Sequence, residues 1–175
     1  MNDRVIKKII VAIPLKGGKD KVEAFVREMF PGNYELIVNG TGDYVSLSSI
    51  ADCGTTGRKL VVDFYGGNCK IGGGAPWTKD GSKADLALNL YARKLAKKFA
   101  WKFKKDVVVS LACCIGKQEV NYYVQTTQGI QLDCGVYVLR PNEIIELLGL
   151  DTPIYKSMCK WGLFGEFQAD KEWEK

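Results

Sequence analysis

The sequence predicts an α+β fold, with mixed β-sheets and helices packed on one face. Three observations predict it. Short runs rich in Ile and Val, bounded by Gly, Pro or Asn, recur along the chain, and this is the pattern of strands. Between them lie segments with apolar residues every three or four positions, the period of an amphipathic helix. The chain has 175 residues, 46% hydrophobic and 11% aromatic, enough to bury a sizeable core in one domain or two small ones.

In chain order, Val5–Leu15 reads as a strand stopped by Pro14 and Gly17-Gly18. Asp20–Met29 follows with Val22, Phe25, Val26 and Met29 at helical spacing, and Pro31-Gly32 ends it. Tyr34–Val38 is a second strand, and Asn39–Gly57 a polar, glycine-containing loop. Leu60–Phe64 is short and almost wholly apolar, which predicts a central strand. A glycine-rich loop then runs to Ser82, the expected N-cap of a long helix over Lys83–Phe103. Leu88, Ala92, Leu95, Phe99 and Phe103 would form its apolar stripe. Val107–Cys114 and Val120–Gln125 read as a strand pair, Gly135–Leu139 as a further strand, and Asn142–Leu148 as a helix behind Pro141. The tail is expected to pack as a loop over the body. The division expected is a β-α-β segment over residues 1–50, completing a partial domain, and a loop segment with a C-terminal α/β domain over 51–175.

Composition narrows the function classes. No apolar run approaches ~20 residues, so no membrane span is expected. The N-terminus carries lysines within its apolar stretch and no small-residue cleavage site, so a cytoplasmic location is expected. The six cysteines show no C-x-x-C spacing and are expected to be buried free thiols. The chain contains no histidine, so no imidazole of these residues can act as base, acid or metal ligand. Net charge is +5, and much of it sits in RKLAKKFAWKFKK (93–105). Such a segment suits a nucleic-acid or membrane patch. Its helical apolar spacing favours lysines on a solvated face, so nucleic acid is not the expected partner.

The run from Gly57 to Asp85, GRKLVVDFYGGNCKIGGGAPWTKDGSKAD, carries the most chemistry. It sets Arg58, Lys59, Lys79 and Lys83 beside side-chain-free backbone and a carboxylate, Asp85. Glycine lets backbone N–H groups approach phosphate oxygens. Arg adds a planar fork and Lys a mobile point charge for the same oxygens. A polyphosphate ligand suits this set. The residues alone equally allow a solvated charged loop with an aspartate in a helix first turn, where negative charge is favoured.

GRKLVVDFYGG and GGGAPWTKDGSKAD resemble two consecutive signatures of the S-adenosylmethionine synthetases (methionine adenosyltransferases), GRK-[IL]-[IV]-VD-x-YGG and GGGAF-[ST]-[GW]-KD-x-x-KVD. The likeness extends to NGTGDYVSLSSIADCGTTGRK (39–59) and to the tail PIYKSMCKWGLFGEFQADKEWEK. It implies a synthetase-like α+β fold and roughly the C-terminal half of such an enzyme. Members join the sulfur of methionine to C5′ of ATP and hydrolyse the displaced tripolyphosphate to diphosphate and phosphate.

By this resemblance Lys59, Lys79, Lys83 and Arg58 stand at the phosphate-contacting positions, with Lys59, Lys79 and Arg58 in catalytic roles. Asp85 stands at a Mg2+ ligand, and Asp52 at an aspartate that meets the substrates and the methionine ammonium. Tyr44 stands where a ring stacks on adenine, and Ile115 near the methionine side chain. Asp63 suits a turn as well as a ligand contact. Implied cofactors are Mg2+ and K+, the K+ ligands falling on a partner chain. The family's HPDK motif, with its histidine and second metal aspartate, has no counterpart in these residues. The resemblance therefore implies a split, hetero-oligomeric synthetase, a second polypeptide supplying the N-terminal half. The alternative is a non-catalytic regulatory or ATP/polyphosphate-binding homologue. Pro76-Trp77, Ile71, Asp43 and Leu86 depart from the family pattern, and Asp43 inverts a charge beside the presumed adenine site.

Overall fold

The short apolar runs of Lys8–Val11 (β1) and Glu35–Val38 (β2) form a parallel pair in the computed structural model. The structure describes residues 5–51, 59–66, 70–76 and 79–175. Parallel neighbours need a crossover, supplied here by α1 (Lys19–Met29). Register runs from Lys8↔Glu35 to Val11↔Val38, and the Lys8 and Glu35 side chains pair at 2.8 Å. Asn39 turns the chain after β2 at φ 47°, a left-handed value that Asn tolerates. Its amide accepts the Ile13 N–H and donates to the Ile13 carbonyl, both at 2.9 Å. The first strand is shorter than the Ile/Val-rich run predicted, because pairing stops where β2 ends. Of the apolar stripe predicted on α1 only Val26 is buried, while Phe25 and Met29 are 59% and 55% exposed. Two strands offer too little surface to cover a helix face. A short helix, α2 (Ser48–Ala51), follows. These elements lie in one compact unit, Met1–Gly54 with Cys114–Lys117.

The second unit, Thr55–Cys113 with Gln118–Lys175, holds the larger core. It opens with a correction: Leu60–Tyr65 is a helix, α3, and not the central strand that its β-branched run predicted. The Asp63 N–H donates to the Lys59 carbonyl at 3.1 Å, a helical bond, and Val61 is buried. A short apolar run has too few residues to show a period, so contacts beyond it decide its form.

The long helix α4 (Ala84–Phe103) packs on an antiparallel sheet in the order β3 (Val107–Cys113), β4 (Glu119–Thr126), β5 (Gln131–Val138). Val109 faces Val124 and Leu111 faces Tyr122 across the first ladder, and these inward positions meet the helix. Phe99, Tyr122 and Tyr137 stack in series, with centroids 5.8 and 4.7 Å apart. The buried side of α4 is Leu86, Ala87, Leu90, Tyr91, Leu95 and Phe99, with Leu88 and Phe103 only partly buried. The predicted stripe is thus rotated, because the helix is covered by the sheet and also by α5 (Pro141–Leu148) and the C-terminal segment.

That segment is not a loop. It forms α6 (Tyr155–Trp161) and a 3-10 turn over Glu166–Gln168, and then buries Trp173, whose indole N–H donates to the Leu163 carbonyl at 2.7 Å. Its glutamates neutralise part of the basic helix: Arg93 and Lys97 pair with Glu174, and Lys94 with Glu172. Cys113, Cys134 and Cys159 are exposed and Cys114 is half-buried, against the expectation of buried thiols, while Cys53 and Cys69 lie outside the described residues. Among the described residues no helix is long and apolar enough to cross a membrane.

Candidate functional site

Gly72 and Gly73 lie against the start of α4, held there by an asparagine. The Gly72 N–H donates to Asn89 Oδ1 and Asn89 Nδ2 donates to the Gly72 carbonyl, both at 3.0 Å. Asn89 Nδ2 also donates to the carbonyl of Asp85, one turn back on the helix. Gly73 has φ +81°, and a Cβ there would stand 2.7 Å from the Cβ and Oδ1 atoms of Asp85. Gly74 has φ +78°, and a Cβ there would stand 2.8 Å from Lys59 Cδ. Only glycine fits both the backbone angle and the close approach. The Gly74 carbonyl accepts the Val61 N–H at 2.9 Å, which ties the loop to α3. One short loop therefore touches both Lys59 and Asp85.

Lys79 and Asp85 meet at 2.7 Å, their side chains 27% and 40% exposed. Between them the chain is braced by its own turn: the Ser82 hydroxyl and N–H both donate to Asp80 Oδ1. These bonds hold the Asp80 carboxyl below the usual carboxylate range. The Gly81 N–H donates to the Tyr155 hydroxyl at 3.0 Å, and that hydroxyl donates to the Leu150 carbonyl, so the turn is anchored to the core. Lys83, exposed, is the N-cap residue of α4, and no side chain caps the helix there. The predicted cap, Ser82, bonds Asp80 instead.

Of the residues predicted for the site, Lys59, Lys79 and Asp85 thus gather around the glycine loop, and Lys83 lies exposed at the start of α4. Arg58 and Asp52 lie outside the described residues. Tyr44 and Ile115 both belong to the smaller unit and are 43% and 81% exposed. Asp63 is exposed on α3. Asn89 and Tyr155 were missed by motif reasoning. Asn89 had one readable signal, since it sits four residues after Asp85 and so shares its helix face.

Beside the loop, a groove of about 950 Å³ runs from Ile71, Asp85 and Asn89 along α4 to Val109 and Leu111 of β3. Its loop end is polar and its far wall apolar. A volume of this order accommodates a small ligand.

Among the described residues no three His, Cys, Asp or Glu side chains cluster for metal binding. One part-exposed carboxylate, Asp85, suits a hard cation that keeps several waters and takes further oxygens from phosphate, as Mg2+ does.

Residues 48–175 match the S-adenosylmethionine synthetase, C-terminal domain family. The chain belongs to the S-adenosylmethionine synthetase family. It is 37% identical over 164 residues to an S-adenosylmethionine synthase of Acholeplasma laidlawii, covering 88% of this chain and 42% of that protein. It is 36% identical over 172 residues to an S-adenosylmethionine synthase of Streptococcus agalactiae, covering 90% and 43%. Its fold resembles an unusual S-adenosylmethionine synthetase from Campylobacter jejuni, with a TM-score of 0.55 and 28% identity over 97% of this chain and 51% of that one. The chain spans less than half the length of these curated synthases. The α+β architecture agrees with this synthetase relationship, and the glycine loop with its lysines and Asp85 lies inside the matched segment.

Proposed function

We propose that this chain is one subunit of a split S-adenosylmethionine synthetase, supplying the half of the active site that binds polyphosphate and Mg2+. The observation that carries the reading is the Lys79–Asp85 pair at 2.7 Å, set beside a glycine loop that also touches Lys59. Cations and an oxygen ligand for a metal, gathered on side-chain-free backbone, suit a leaving group of high negative charge. In the reaction, the methionine sulfur attacks C5′ of ATP, the C5′–O bond breaks, and the electron pair leaves on tripolyphosphate. Water then cleaves that product to diphosphate and phosphate.

Lys59, Lys79, Lys83 and Arg58 hold the polyphosphate and offset its charge as the bond breaks. Bound Mg2+ supplies a Lewis acid that draws charge from the phosphate oxygens. Asp85 is its ligand from this chain. Asp52 meets the substrates and pairs with the methionine ammonium. Tyr44 stacks on adenine, and Ile115 offers apolar surface to the methionine side chain. No histidine occurs in these residues, so any imidazole in the chemistry comes from outside them, in this proposal from the partner polypeptide that also holds the K+ ligands. Exposed apolar side chains in the smaller unit, among them Phe25, Met29 and Ile50, support a partner that covers them. The location proposed for the assembly is the cytoplasm.

The test is an assay of the purified chain with ATP, methionine, Mg2+ and K+, run alone and with a polypeptide carrying the HPDK-containing half of a synthetase. S-adenosylmethionine and phosphate release are followed. Turnover that appears on mixing, and falls at least a hundredfold on Lys79→Ala, is expected, in line with loss of one electrostatic contact to a leaving group. A partner that binds without turnover would overturn the split enzyme and leave the regulatory homologue.

A further inference from the structure

Lys79 and Asp85 are each other's ion-pair partner, yet the proposed function gives them different ligands: phosphate oxygens for the lysine and a divalent cation for the carboxylate. A cation arriving alone meets a carboxylate that is already neutralised, beside a resident ammonium that repels it. A polyphosphate arriving alone draws Lys79 away and leaves the bare charge of Asp85 facing its own. A metal-bearing polyphosphate replaces both halves of the pair at once. The carboxylate takes the metal, the ammonium takes the phosphate, and no like charges are left in contact.

The surroundings decide which partner moves. Asp85 sits in the first turn of α4, packed on Gly73, with its backbone carbonyl held by Asn89. Lys79 precedes the helix on a flexible four-carbon stem. Its backbone is kept in place by an N–H donated to the Pro76 carbonyl at 3.2 Å. The head of Lys79 therefore swings between Asp85 and a phosphate while the carboxylate stays fixed.

We propose that the Lys79–Asp85 pair makes the site accept a metal–polyphosphate complex as a unit and discriminate against either component alone. This rests on the reading that the glycine loop is a polyphosphate site.

The experiment uses the full chain and its Lys79→Met and Asp85→Asn variants, with folding checked by circular dichroism. Tripolyphosphate binding is measured by calorimetry in chelator-treated buffer and again with Mg2+ in excess. Mn2+ binding without anion is followed by electron paramagnetic resonance. Asp85→Asn is expected to bind metal-free tripolyphosphate about fivefold tighter than the unaltered chain, because Lys79 is released and a repelling charge is gone. Lys79→Met is expected to bind Mn2+ alone about fivefold tighter, and tripolyphosphate more weakly. If all forms bind Mg-tripolyphosphate but neither variant gains affinity for its single component, the coupling proposal is overturned and the polyphosphate site stands. If the unaltered chain binds no tripolyphosphate with or without Mg2+, the polyphosphate reading falls, and the coupling with it.

Discussion

Arg93 and Glu174 meet through two parallel hydrogen bonds, Nε–H to Oε1 and Nη2–H to Oε2, each 3.0 Å long. The same carboxylate accepts the Gly165 N–H at 3.0 Å, and its side chain is 4% exposed. The middle of the long helix is thereby fastened to the last residues of the chain. A fork of this kind is among the stronger ion pairs a protein makes.

This pair makes stability depend on pH. Burial pushes the Glu174 carboxyl upward, but hydrogen bonds from Arg93, Gly165 and Lys97 and the charge of Arg93 outweigh it and hold the group below its ordinary range. A carboxyl depressed in the folded state contributes stability above its unfolded pKa, and that contribution is lost as pH falls through the folded value. Glu174→Gln should therefore cost about 1–3 kcal/mol at neutral pH. Denaturant unfolding at several pH values should show the variant and the unaltered chain converging toward acid.

Gly73→Ala should damage binding more than folding. Its φ of +81° strains any side chain, and the new methyl would press on Asp85. The cost of the angle is about 1 kcal/mol. Tripolyphosphate affinity with Mg2+ should fall about tenfold or more. Gly129→Ala, at φ +85° with open space around it, supplies the comparison: similar strain, with affinity unchanged by calorimetry.

Asn89→Ala should loosen the loop without unfolding the helix. It removes both bonds to Gly72, and solvent can replace them because the contact is exposed. The stability loss should stay near 0.5–1.5 kcal/mol. Amide exchange at Gly72, followed by NMR, should quicken, and tripolyphosphate affinity should weaken in step.

Leu90→Ala and Leu88→Ala distinguish the buried face of α4 from the stripe that periodicity alone suggests. Leu90 is fully buried, and its truncation should cost about 3 kcal/mol. Leu88 is only partly buried, and its truncation should cost about 1 kcal/mol or less. Equal losses in denaturant unfolding would contradict the packing described.

Much of the architecture was legible in the chain. The crossover of β1, α1 and β2, the long helix and the β3–β4 pair all follow from apolar periodicity and Gly/Pro boundaries within a few residues of each other. The residue types of Gly57–Asp85 suggested an anion site, and the structure brings Lys59, Lys79 and Asp85 of that run together beside its glycines. Leu60–Tyr65 was misread because Leu-Val-Val favours a strand when considered locally, whereas its helix is fixed by Lys59 on one side and Gly74 on the other. Cys113, Cys134 and Cys159 were misread because thiols favour interiors on average, and nothing local marks these three as exposed.

The sequence by itself determined which residues place charge beside the glycine loop, where the chain must turn, and the family to which it belongs. Only the tertiary structure decided that Lys79 is paired with Asp85, that Asn89 holds Gly72, and that Leu86 and Leu90 are the buried side of α4. The physical reason is range. Torsional preference and apolar period act between near neighbours and are written locally, whereas an ion pair, a loop clamp or a buried face depends on where the backbone returns after folding.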